Sequence, residues 1–321
     1  ELGEGPDIKS IIVSTIAEET TRALAIQTGQ ADIDFQTPSD LIADIEKGGK
    51  ASLLRREGPG FNFLAFNCSK PPFDDVNARR AVASAIDAAG IQKAFVKETG
   101  NPTNYLMVPD VLFIFEKERW EALKQNVPKY EYSIEKAKEY LAQSKYPDGF
   151  ECTLLSDEYT LSKNLSLALQ QALAEIGITV SIDQQSNEEV TNQQFGEGMV
   201  DGKRPYDFGL FAWISDFPDP AGILTPLLMT SNGEQGGSNT AAYSNTKVDE
   251  LLEKQGQLTD TAKRMDLLEE AQLIVQDEQP YYTICQYNWL FGISNRIVEP
   301  ESVLNPSYIW NFAAKNIKLA E

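Results

Sequence analysis

The sequence predicts an α/β protein, and three stretches carry that reading. Leu161, Leu165, Ala168, Leu169, Ala172, Leu173 and Ile176 recur at a helical period, and Gly177 follows as the natural stop. Ile178, Val180 and Ile182 then alternate as a strand, and the segment FECTLL before the helix is a strand led in by the turn Tyr146 to Gly149. Strand, helix, strand in that order predicts parallel strands joined by a right-handed crossover. The third stretch is Tyr206 to Trp213, where Phe208, Leu210 and Ala212 alternate with Gly209, Phe211 and Trp213 as a buried strand.

The elements before these follow the same logic. Ile11 to Ile16 reads as a strand, and EETTRALAIQTG as a helix stopped by Gly29. Ala31 to Phe35 is a short strand. Thr37 is expected to cap a helix with Pro38 at its first position, carrying Leu41, Ile42 and Ile45 inward until Gly48 and Gly49. After ASLLRRE, the alternating run Phe61 to Phe66 is a strand that stops at Asn67. Asp74 or Asp75 caps a helix with Ala78, Val82, Ala85, Ile86 and Ala89 on one face, closed by Gly90. Ile91, Ala94 and Phe95 suggest a second short helix, and the stretch around Phe113, Phe115 and Trp120 has no regular period. Ser133 caps the helix IEKAKEYLAQ.

Beyond Ile182, Ser186 with Glu189 forms a capping box for a helix ending near Gly196 and Gly198. Ser231 to Asn239 is expected to be a solvated loop. Two helices follow, one burying Val248, Leu251 and Leu252, the other Met265, Leu268, Ala271 and Val275, and Pro280 ends the pair. YYTICQYNWLFGIS is extended chain. No internal repeat appears.

Composition removes several function classes. The 321 residues suffice for two domains. Acidic residues outnumber basic ones 48 to 28, a formal charge of −20, and such a field repels nucleic acid and anionic lipid. Cys68, Cys152 and Cys285 have no metal-like spacing and imply no disulfide framework. Histidine is absent, which removes the usual general base, the Ser/His and Cys/His nucleophile pairs and the commonest transition-metal ligand. No apolar run approaches a membrane span. No cofactor or metal is expected.

The chemistry concentrates at the end of the Tyr206 to Trp213 strand. That strand runs into Asp216, Phe217, Pro218, Asp219 and Pro220, where two prolines stiffen the turn. Trp213 and Asp216 thus stand just past the carboxyl end of a strand, where open α/β sheets bind ligands.

Several blocks, in order, carry a family likeness: ALAIQTGQADID, NCSKPPFDDVNARRAVASAID, YSIEKAKEYLAQSKYPDGFE, ALAEIGITVSI, YDFGLFAWISDFPDP, YSNTKVDELLEKQGQLTD and RMDLLEEAQLIVQDEQP. From about residue 10 to its end the chain resembles the family-5 extracytoplasmic solute-binding proteins, the peptide receptors of ABC importers. The resemblance implies a class II periplasmic-binding-protein fold with a mixed sheet and two lobes. It further implies a carboxy-terminal part of such a protein: residues 1–66 a remnant of the first lobe, 67–286 the complete second lobe, and 287–321 the return to the first, with hinges near Asn67 and Tyr287. The implied activity is non-enzymatic, an extracytoplasmic monomer capturing peptides for ABC permease subunits. Trp213 and Asp216 match the family's Trp-x-x-Asp, in which the Asp takes the peptide ammonium and the Trp borders a side-chain pocket. Ala212 and Ile214 would pair with the peptide backbone, and Phe211 and Phe217 complete the expected ligand-binding set. Some relatives place a basic residue where Leu210 stands, so no partner for a peptide carboxylate is implied.

Two other functions remain open at this point. Relatives of the same fold bind oligosaccharides, nickel complexes or haem; the absence of histidine counts against metal and haem, while Trp213, Phe211 and Phe217 would suit sugar stacking. A carboxylate hydrolase would use Asp216 with Asp219, which requires two acids with pKa values pushed apart.

Overall fold

The computed structural model describes residues 8–97, 100–102, 117–217, 219–302 and 317–320. In chain order the regular elements begin with α1 (Glu19–Thr28), β1 (Ile33–Asp34), α2 (Ile42–Gly48), β2 (Ala51–Phe66), α3 (Val76–Ala85), α4 (Ala88–Ile91) and β3 (Gly100–Pro102). Next come α5 (Lys117–Asn126), α6 (Ile134–Gln143), β4 (Phe150–Ser156), α7 (Thr160–Ala174), β5 (Ile178–Gln184), α8 (Asn187–Gln194) and β6 (Phe208–Ile214). The last are α9 (Ala221–Leu228), α10 (Thr246–Gly256), α11 (Thr261–Glu278), β7 (Tyr281–Ser294), β8 (Ile297–Val298) and β9 (Lys318–Leu319).

The described residues fall into two compact units. One comprises those within Glu1–Pro59, Lys97–Asn101 and Tyr287–Glu321, the other those within Gly60–Val96 and Pro102–Gln286. Strands β2 and β7 therefore each contribute residues to both. Asn67, at the boundary expected from the sequence, lies inside the second unit. It is fully buried, its Nδ2 donating to the Tyr206 carbonyl at 2.9 Å and its amide to the Asp207 carbonyl at 2.9 Å.

The second unit is a sheet faced by helices. Its strand order is β7-β2-β6-β4-β5. β4 runs parallel to both β5 and β6, whereas β2 meets β6 antiparallel with Gly60 opposite Ile214 and Phe66 opposite Phe208, so the sheet is mixed. One face buries Leu64, Phe66, Leu154, Phe208 and Leu210 against Val82 and Ala85 of α3 and Leu165, Leu169 and Leu173 of α7. Three of its helix starts are marked by side-chain caps. Asp75 accepts the Asn77 and Ala78 amides, Ser133 that of Lys136, and Ser186 with Glu189 makes the reciprocal capping box on α8. In the first unit, α1 and α2 bury Ala23, Ile26 and Ile45 with Ala51 of β2, and β1 pairs antiparallel with β7 at Ile33 and Ile293.

Three local expectations are corrected and a fourth holds in part. Ile11 to Ile16 form no strand among the described residues, and Ile12 and Val13 are 87% and 86% exposed; alternation alone does not make a strand without a neighbouring ladder. Thr37 does not cap α2; its hydroxyl donates to Asp34 at 3.1 Å, and a 3-10 turn, Ser39–Leu41, comes first. Gly90 does not close α3, which ends at Ala85; Asp87 caps α4 through the Gly90 amide. Ser231 to Asn239 is exposed at Ser231 and Glu234 to Gly236, as expected of a solvated loop, but its end is anchored in the protein. Asn239 is fully buried and donates to the Met229 and Tyr243 carbonyls, while Asn232 donates to those of Thr225 and Pro226. Of the aromatic stretch, Phe113 and Phe115 lie outside the described residues, as does Pro218 of the corner.

Candidate functional site

The site begins with the phase of β6. The Asn67 amide donates to the Asp207 carbonyl, so Asp207, Gly209, Phe211 and Trp213 turn their backbone groups toward β2. Phe208, Leu210, Ala212 and Ile214 turn theirs to the opposite edge. On that edge β4 reaches only Phe208 and Gly209, opposite Leu154 and Leu155, because β4 ends at Ser156 and the chain leaves for α7. Among the described residues no strand pairs with β6 on that edge beyond Gly209. An open ladder thus remains at the carboxyl ends of two parallel strands, where the crevice of an α/β sheet lies.

Side chains along β6 separate by face. Phe208 and Leu210 belong to the core. Phe211 is buried as well, its ring 5.2 Å from Tyr206 and 6.3 Å from Phe63, and folded over Gly209, where a Cβ would come within 2.3 Å of it. The expectation that Phe211 touches ligand is therefore corrected: it is a core aromatic. Ala212 is exposed, and Trp213 and Ile214 are half-buried. Trp213 donates its indole N–H to the Gly222 carbonyl at 3.2 Å, which fixes the ring against the start of α9.

The corner after β6 is pinned at both ends. Ser215 is fully buried and its hydroxyl donates to the Phe217 carbonyl at 2.7 Å. Gly222 permits this approach, since a Cβ there would stand 2.3 Å from the Ser215 Oγ. At the other end Asp219 accepts the Ala221 amide at 2.9 Å and a two-pronged pair from Arg264 at 2.8 and 2.9 Å. Arg264 also donates to Gln255, and its hydrogen bond to Asp219 raises its pKa above the ordinary arginine value. Between these anchors Asp216 is exposed and, among the described residues, accepts no hydrogen bond and joins no ion pair. Phe217 beside it is 50% exposed.

This arrangement separates the two acids. Asp219 is committed to Arg264, so a pair of catalytic carboxyls made of Asp216 and Asp219 is not available. Asp216 stands alone as an anionic group on a rigid corner, next to an open ladder and a fixed aromatic. Such a site suits a ligand with a cationic end and backbone-like donors and acceptors.

Sequence reasoning missed Arg264 and Gln194. Gln194, the last residue of α8, is buried and donates its Nε2 to the Ala212 carbonyl at 3.1 Å. Both left a trace in the pattern. Arg264 falls on the stripe of Leu268, Ala271 and Val275, and Gln194 is four residues after buried Val190, so each is a polar residue at an inward position. Among the described residues no cluster of acidic or cysteine side chains is arranged to hold a metal ion. No helix among them is long and apolar enough to cross a membrane.

Comparisons with known proteins now bear on this geometry. The family model "Bacterial extracellular solute-binding proteins, family 5 Middle" matches residues 2–235. Heme-binding protein A of Haemophilus influenzae is 30% identical over 297 residues, covering 89% of this chain and 50% of that protein. Glutathione-binding protein GsiB of Shigella dysenteriae is 27% identical over 278 residues, covering 86% of this chain and 52% of that protein. The chain therefore spans about half the length of the curated relatives it matches. Among solved structures, the periplasmic binding protein DppA of Helicobacter pylori, in complex with the peptide STSA, superposes with a TM-score of 0.82 at 22% identity. The match covers 96% of this chain and 56% of that one, and it establishes a periplasmic-binding-protein-like fold.

Proposed function

Because the chain belongs to family 5 of the bacterial extracellular solute-binding proteins, we propose that it is the ligand-capturing part of an ABC importer's receptor, taking up peptides outside the cytoplasmic membrane and handing them to the permease. The observation that carries this reading is the exposed Asp216 carboxylate, without a partner among the described residues, beside the open edge of β6. A peptide ammonium would meet Asp216 in a charge-assisted hydrogen bond, and the peptide backbone would add to the edge as a strand. Trp213 would border the pocket for a side chain, and Phe217 would cover its outer rim. The relatives' names support a binding role but differ in ligand: haem for one, glutathione for the other. Glutathione is itself a short peptide with a free amino group, which keeps a peptide-like ligand in view.

The test is calorimetric titration of the full-length protein with dipeptides, the same dipeptides acetylated at the amino terminus, and cello-oligosaccharides. Blocking the ammonium should weaken binding by at least about thirtyfold, the lower end of what losing a charge pair costs once the bound ligand has taken it out of water. Equal affinity for free and acetylated peptides removes Asp216 from the proposed role. Binding of the oligosaccharides in place of peptides overturns the reading, with Trp213 and Phe217 then acting as stacking surfaces.

A further inference from the structure

The open edge of β6 is not open along its whole length. Ladder groups on one edge of a strand recur every second residue, about 6.6–6.8 Å apart. On β6 those groups belong to Ile214, Ala212 and Leu210, counting back from the corner that carries Asp216. A peptide anchored by its ammonium at Asp216 therefore sets its first residue beside Ile214 and its third beside Ala212. The Ala212 carbonyl already accepts from the Gln194 Nε2 at 3.1 Å, and the Gln194 amide stands where the third residue's N–H would approach.

Gln194 is not a loose surface chain that a ligand would brush aside. It is 8% exposed and closes α8 on the same face as buried Val190. Its own carbonyl accepts from Arg204 Nη1 at 2.8 Å, and the same guanidinium reaches the Gln193 carbonyl at 3.2 Å and that of Gly237 at 3.4 Å. Arg204 is 1% exposed, so a buried cation sits on the carboxyl end of α8, where the helix dipole favours it. The chain of contacts runs from Arg204 to the Gln194 backbone, then through the Gln194 side chain to the ladder position a third peptide residue needs.

We propose that Gln194 is a length-determining residue that ends the ligand ladder after two residues, so that the site selects dipeptides and dipeptide-like ligands over longer peptides. This rests on the peptide reading given above. Arg204 acts as a positioning residue, holding the end of α8 so that Gln194 stays on Ala212.

The experiment titrates the full-length protein with alanine peptides of two to five residues, in the native protein and in Gln194→Ala, Gln194→Ser and Gln194→Met. Thermal unfolding of each variant checks that it is folded, and the two shortening variants back each other should one fail. The native protein should bind dialanine at least about tenfold tighter than tetraalanine, because the third residue's N–H, laid against β6, is left without the Ala212 acceptor. Gln194→Ala and Gln194→Ser should gain about tenfold for tri- and tetraalanine relative to dialanine. Gln194→Met keeps the bulk and should keep the preference for two residues. Native protein that binds two and four residues equally overturns the inference and leaves the peptide reading standing, as does a preference for two residues that survives both shortening variants. Absence of binding to any alanine peptide, with another class of solute bound instead, overturns both.

Discussion

Two aspartates three residues apart on one corner should behave oppositely when each is changed to asparagine. Asp219→Asn removes the charge from a two-pronged pair with Arg264 whose side chains are only 27% and 20% exposed, so solvent screens it incompletely. Hydrogen bonds to charged groups contribute about 1.5–3 kcal/mol each way, and asparagine can keep one acceptor for the Ala221 amide, so the unfolding free energy should fall by about 1.5–3 kcal/mol. Asp216→Asn removes an exposed group with no described partner and should change stability by no more than about 0.5 kcal/mol. The affinity order is reversed: Asp216→Asn should cost about 2–5 kcal/mol of peptide binding, roughly thirty- to five-thousand-fold in Kd. Urea unfolding followed by tryptophan fluorescence reads the first effect, since Trp213 is bonded to Gly222 at the same corner. Calorimetry reads the second. A destabilised Asp216→Asn, or an Asp219→Asn as stable as the parent, would refute the division of labour between anchor and ligand carboxylate.

Other consequences are equally measurable. Burial pushes the Cys152 and Cys285 thiols up to about 12, so on the order of one in ten thousand is thiolate at pH 8, and neither should react with iodoacetamide until the protein is unfolded; rapid labelling of either in the native state contradicts the burial. The same raised values make the folded form hold protons that the unfolded chain releases from about pH 9, so stability is complete below that pH and falls as pH climbs toward 12. Each thiol should contribute on the order of 1–2 kcal/mol of that loss by pH 10.5, with buried Tyr281 and Tyr282 shifting in the same direction, and a flat urea midpoint between pH 7 and 10.5 would exclude it. Ser186→Ala deletes one side of the α8 capping box and should lower stability by about 1 kcal/mol; an unchanged urea midpoint would mean that the box does not form in solution.

The fold was legible in the sequence wherever a local rule and the tertiary structure agree. The α7 and β5 pattern, the Ser133 and Asp75 caps, the Ser186 box and the alternation of β6 all reappear as expected because each is set by contacts within a few residues. Errors came where a residue had a distant alternative. Thr37 satisfies Asp34 instead of a helix end, and Asn239 is a polar residue buried among carbonyls at the end of a stretch that composition reads as a loop. At the candidate site, Trp213 and Asp216 were visible as a motif, but the difference between Asp216 and Asp219 was not. It depends on Arg264, which arrives from a helix far along the chain. Phe211 was misread because period-2 alternation gives the face of a strand, not whether a second layer covers that face.

The open edge itself has a cause that no single segment contains. β4 and β6 have similar lengths, yet they overlap by two residues because Leu154, late in β4, meets Phe208, the first residue of β6. A full overlap would have paired the whole outer ladder of β6 and left no backbone for a ligand. The offset instead lets β6 project past its parallel neighbour while β2 holds its other edge to Ile214, so the projecting part stays straight. A projecting strand with free donors and acceptors also invites pairing with other chains. Here the acidic corner and the Gln194 amide act against that, the first by charge and the second by occupying Ala212. The features that would admit a short cationic-ended ligand are thus the same ones that keep the exposed ladder from being filled indiscriminately.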